Sequence, residues 1–110
     1  LPHALVESFK STLAEAQEAD LLLIVADGSD SYLDEKLHVV FDVLKEIGAG
    51  ENFATIINKV DLLTDEQLFE LRRKHPAAHF VSAKTATGIA ALKDFIFARF
   101  LSAAEPPYLS

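Results

Sequence analysis

Phe53-Ala54-Thr55-Ile56-Ile57-Asn58-Lys59-Val60-Asp61 decides how the rest of the chain is read. Its first six residues form a short apolar run rich in β-branched side chains, which predicts a buried strand. The run ends on Asn58-Lys59-Val60-Asp61, an N-K-x-D pattern. Upstream, Leu21-Leu22-Leu23-Ile24-Val25-Ala26 is a similar run between Asp20 and Asp27-Gly28, and it predicts a strand buried on both faces. Downstream, His79-Phe80-Val81-Ser82 predicts a third, shorter strand.

Helical periodicity fills the gaps. Leu33, Leu37, Val40, Phe41, Leu44 and Ile47 mark one helix, closed by Gly48, with Ser29 and Asp30 as capping types before it. Thr64-Asp65-Glu66 opens another, with Leu68 and Leu71 facing inward and Phe69 a candidate for the same face. Pro76 stops it. Leu5, Val6, Phe9, Leu13 and Ala16 predict an amphipathic helix over residues 4–18. A last helix runs from about Gly88, with Ile89, Leu92, Phe95, Ile96 and Phe100 inward. Glu105-Pro106-Pro107-Tyr108 reads as a tail or linker. Strands alternating with helices imply right-handed βαβ units. The expected fold is therefore α/β, a three-stranded parallel sheet with flanking helices.

In open α/β sheets, ligands sit beyond the carboxyl ends of the strands. Two of the three strand ends carry matched signals: Asn58-Lys59-Val60-Asp61 after the second, and Ser82-Ala83-Lys84 after the third. Guanine presents two adjacent donors, N1–H and the N2 amino group, and one ionised carboxylate can accept both. Asp61 suits that role. Adenine offers no such pair. Guanine O6 needs a donor, which the Ala83 backbone N–H can supply. The methylene stem of Lys59 can lie on one face of the base while its ammonium stays wet, and Lys84 can approach the other. Asn58 can tie the two loops through its amide, and Ser82 can hold Asp61. A site that pairs a ligand's donors rejects analogues lacking them by up to roughly 10⁴–10⁵.

Composition narrows the partners. Of 110 residues, half are apolar and a quarter charged, so the chain can fold around a core. A net charge of -7, with a pI near 4.9, repels nucleic-acid backbone and anionic membrane. The absence of cysteine removes disulfides, thiolate zinc sites and a cysteine nucleophile. The longest apolar run is too short to span a bilayer, and no signal peptide is visible. The chain starts at Leu1 rather than methionine, which suggests a segment cut from something longer. No G-x-x-x-x-G-K-[ST] phosphate loop and no D-x-x-G occur in the 110 residues. Base recognition is present without machinery for hydrolysis.

N-K-x-D followed by S-A-K on successive strands resembles the fourth and fifth motifs of translation-factor-type P-loop GTPases. Leu1-Pro2-His3-Ala4-Leu5-Val6-Glu7-Ser8-Phe9-Lys10-Ser11-Thr12-Leu13 narrows the likeness. It is similar to the HflX family, where L-P-H-x-L-V-x-x-F-x-x-T-L follows a D-T-V-G-F motif. Glu18-Ala19-Asp20-Leu21-Leu22-Leu23 and Ser82-Ala83-Lys84-Thr85 with Gly88-Ile89 extend the resemblance over essentially the whole chain. It implies that residues 1–104 are the C-terminal half of a Rossmann-like G domain, from the switch II helix onward, with 105–110 a tail or linker. It further implies a cytoplasmic protein that binds GTP or GDP, uses Mg²⁺ only when intact, hydrolyses GTP and associates with the large ribosomal subunit. The present chain alone is expected to be inactive. Ala26-Asp27-Gly28-Ser29-Asp30 stands where V-D-A-S-D is usual, and Ala86-Thr87-Gly88 where G-x-G is common. Two alternatives stay open: the G domain of a related GTPase family, and a non-enzymatic α/β interaction module.

Other residues draw blander readings. His75 and His79 are four apart, but Pro76 breaks the helix that would align them as metal ligands. Asp27, at a strand end, is a candidate functional residue, with a cap for the next helix the favoured reading. His3 and His38 are read as surface residues, with His3 falling in the implied switch region. Glu15, Glu18, Asp34, Glu35, Asp65 and Glu66 are read as solvated helix faces. Phe41, Phe80, Phe95, Phe97 and Phe100 are read as mostly core. An unpaired edge along residues 21–26 is expected to promote self-association.

Overall fold

A computed structural model describes residues 21–46, 48 and 52–104, with side chains to Leu101. The helix expected over 4–18 and the tail 105–110 lie outside the described residues. The elements run β1 (Leu22–Asp27), α1 (Leu33–Glu46), β2 (Phe53–Asn58), a single 3₁₀ turn (Val60–Leu62), α2 (Asp65–Lys74), β3 (His79–Phe80) and α3 (Ile89–Ala104). The three strands are parallel in the order β1-β2-β3. The fold is α/β, as the alternation of periods implies.

Register explains which side chains meet. Leu22 pairs with Phe53 and Asp27 with Asn58, so β1 and β2 end level. Ile24, Ala26, Ile57 and Phe80 share one face, and Leu33 and Leu37 of α1 and Leu71 of α2 pack on it. Val43 and Leu44 extend this core toward Phe53, where the Phe41 and Phe53 rings lie 5.7 Å apart. Strand alternation turns Ala54, Ile56 and His79 to the opposite face. There α3 arrives, with the Phe95 ring 4.3 Å from that of His79.

The first two helices carry local end signals. Asp34 and Glu35 occupy the first turn of α1 and Lys45 the last, complementing the helix dipole. Thr64 caps α2 in a reciprocal box: its hydroxyl accepts from Gln67 N–H and Gln67 Oε1 accepts from Thr64 N–H. His75, just past α2, and Lys74 both bond Asp34 of α1, at 2.7 and 3.1 Å. These contacts, the His75 hydrogen bond first, hold the Asp34 carboxyl below its ordinary pKa.

Four expectations change. Among the described residues β1 is covered on one face only: Leu23 and Val25 are 43% and 63% exposed. A continuous apolar run cannot distinguish one-sided from two-sided cover. β3 stops at Phe80 because Ser82 N–H turns away to Thr87 C=O. Phe69 points outward, since it sits two positions, or about 200°, from the inward Leu71. Phe97 and Phe100 are also exposed, forming with Leu101 a second apolar stripe on α3.

Candidate functional site

The loops after β2 and β3 meet at the carboxyl end of the sheet. Lys59 leaves β2 in the left-handed region, with φ 69°, and the 3₁₀ turn follows at once. This reversal brings Asp61 back toward the β3 loop, where Ser82 Oγ donates to Asp61 Oδ1 at 2.8 Å. Ser82 is fully buried and also accepts from Thr85 N–H at 3.1 Å, so its hydroxyl is fixed by two partners. Asn58 closes the second tie: Ala83 N–H donates to Asn58 Oδ1 at 3.0 Å. Val60 N–H reaches Val81 C=O at 3.2 Å.

Gly88 lets the β3 loop turn into α3. Its φ is +74°, and a Cβ there would lie 2.4 Å from Phe80 C=O. A side chain at this position would collide with fixed backbone.

Asn58, Lys59, Asp61, Leu62, Ala83 and Lys84 line a cavity of about 310 Å³. Five of the six residues anticipated from the motifs therefore face one space, and the sixth, Ser82, lies beneath it holding Asp61. A carboxylate oxygen can accept more than one hydrogen bond, so the Ser82 contact leaves Asp61 able to receive a ligand's donors. Ala83 N–H is engaged by Asn58. Offering it to a base oxygen means sharing or exchanging that bond.

One strand-end residue, favoured by the sequence as a cap rather than as a functional group, joins the site. Asp27 does not cap α1. Its Oδ1 accepts from Ser29 N–H and Ser29 Oγ at 2.9 and 2.6 Å, and its Oδ2 accepts from Lys59 Nζ at 2.9 Å. These bonds, with Ser29 Oγ the largest contributor and Lys59 next, lower the carboxyl pKa to about 2. The signal was the alignment of β1 with β2, which sets Asp27 beside Asn58. His75 and His79 diverge, one to Asp34 and the other to Phe95.

Comparison with known proteins fixes the lineage. The chain is 46% identical over 101 residues to GTPase HflX of Gluconacetobacter diazotrophicus, covering 91% of this chain and 22% of that protein. It is 41% identical over 98 residues to GTPase HflX of Treponema denticola, covering 87% and 25%. With GTPase HflX of Escherichia coli the figures are 41% over 95 residues, 81% and 22%. This sequence belongs to the HflX family. No family model matches the chain. It spans about a quarter or less of the length of these HflX relatives. Three parallel strands with three flanking helices agree with part of a P-loop GTPase domain. Among the described residues, no helix is long and apolar enough to cross a membrane.

Proposed function

We propose that this chain supplies the guanine-reading part of a GTP-binding protein of the HflX type. Asp61 accepts guanine N1–H and N2–H, Ala83 N–H meets O6, and the stems of Lys59 and Lys84 flank the base. Asn58 and Ser82 hold the loops. One observation carries the reading: Ser82–Asp61 and Asn58–Ala83 are two hydrogen bonds between N-K-x-D and S-A-K, and they set both motifs around one cavity. In the intact protein we propose GTP hydrolysis coupled to association with the large ribosomal subunit, in the cytoplasm. Among the described residues no cluster of three or more His, Asp or Glu could hold a metal ion. The proposal for Mg²⁺ is that only the intact protein binds it. The 110 residues alone are expected not to hydrolyse GTP and to bind nucleotide weakly, because phosphate contacts are missing from them. The outward face of β1 supports self-association of the isolated chain through strand 21–26.

The test is base preference in the protein with its native flanking sequence. Asp61→Asn removes the acceptor for N2–H and supplies a donor suited to xanthine. GTP affinity should fall roughly 10- to 100-fold, the range for losing charged hydrogen bonds, while affinity for xanthosine triphosphate rises. Competition binding that shows an unchanged guanine preference would remove Asp61 from the role.

A further inference from the structure

We infer that the turn Asp27-Gly28-Ser29 is a clasp that positions Lys59 for the base. The inference rests on the guanine-reading assignment and adds a residue to it from a different part of the chain.

Lys59 is an awkward side chain to aim. It has four rotatable carbons and a strongly hydrated head, and its backbone is in the left-handed region. An exposed lysine in such a loop would sample many rotamers, and ordering it on ligand binding would cost affinity. Here the ammonium is drawn back across the end of β1 to Asp27 Oδ2, 32 residues away in sequence. The pair is only partly shielded, with Lys59 51% and Asp27 38% exposed. A lone surface pair of this kind is weak and poorly aimed.

Three features make this one directional. First, Ser29 holds the other carboxylate oxygen with two donors, so Asp27 cannot rotate to follow the lysine. Second, Gly28 N–H donates to Asn58 C=O at 2.8 Å, fastening the turn to the residue before Lys59. Third, Gly28 permits that approach: a Cβ there would lie 2.9 Å from both Asn58 C=O and Ile57 Cγ2. Both ends of the Asp27–Lys59 bond are thus anchored to one rigid corner. The ammonium is parked on Asp27 at the end of β1, and Lys59 is among the residues that line the cavity. Asp27 touches no base in this arrangement. It is a positioning residue acting through Lys59.

The experiment is a double-mutant cycle on GDP affinity in the protein with its native flanks, measured by titration calorimetry. Asp27→Asn should weaken GDP about two- to fivefold, the scale of a partly exposed ion pair. Lys59→Ala should weaken it more, and the double variant should match Lys59→Ala with no further loss. Ser29→Ala, which loosens the carboxylate while keeping its charge, should fall between wild type and Asp27→Asn and covers the case in which Asp27→Asn does not fold. The Lys59 ammonium resonance should be visible by NMR in the wild type and lost in Asp27→Asn at an unchanged melting temperature. Losses from Asp27 and Lys59 that multiply, or an Asp27→Asn effect confined to melting, would overturn the clasp. Equal binding of guanine and xanthine nucleotides by the wild type would instead overturn the guanine reading itself, so the two failures are separable.

Discussion

The two faces of this sheet's surroundings are built on opposite terms. At the carboxyl end, the loops after β1, β2 and β3 are tied to one another by side-chain hydrogen bonds: Lys59 to Asp27, Ala83 to Asn58, Ser82 to Asp61. On the outward face, Leu23 and Val25 of β1 and the Phe97, Phe100, Leu101 stripe of α3 are exposed without such ties. Polar groups fix geometry because their bonds are directional. Apolar side chains gain free energy from cover but specify no angle. The first region is organised within the described residues. The second is a surface suited to being covered.

That contrast can be broken from either side. The largest effect is expected at Gly88. Gly88→Ala puts a Cβ into Phe80 C=O at a positive φ and should destabilise the fold by on the order of 3 kcal/mol. Chemical denaturation reads this, and a loss within error of zero would show that the loop relaxes freely. Next comes Ser82→Ala. It leaves Thr85 N–H without its acceptor and frees Asp61, at a cost of about 1–3 kcal/mol, and guanine affinity should fall with it. A variant that loses stability but keeps full affinity would separate Asp61 orientation from Ser82. The smallest effect on folding is expected on the other face. Val25→Lys should change stability by no more than about 0.5 kcal/mol, yet reduce self-association of the chain in light scattering. Unchanged association would place the contact elsewhere than β1.

Much of this was legible beforehand, for identifiable reasons. β2 was readable to its ends because an apolar β-branched run stops at Asn58. α2 was readable at its start because Thr64 is followed by Asp65 and Glu66, a helix-opening pattern, though the Gln67 half of its cap was not. The motif residues converge because both follow parallel strands. Three things were hidden. The end of β3 depends on where Ser82 N–H finds its acceptor, a backbone choice with no side-chain signature. The exposure of Leu23 and Val25 depends on what packs over β1, which a six-residue run does not encode. The partner of Asp27 depends on register, since only the level ending of β1 and β2 brings residues 27 and 59 together.

The left-handed backbone of Lys59 carries one more consequence. For folding alone, lysine is a poor choice there: a non-glycine residue in that region gives up about 1–2 kcal/mol. Glycine would fit without strain, and asparagine nearly so. Selection in the laboratory for heat resistance alone should therefore drift position 59 away from lysine, discarding the ammonium and the stem together. A lineage that keeps lysine at this corner is accepting a less durable protein in exchange for what the side chain does when a ligand arrives.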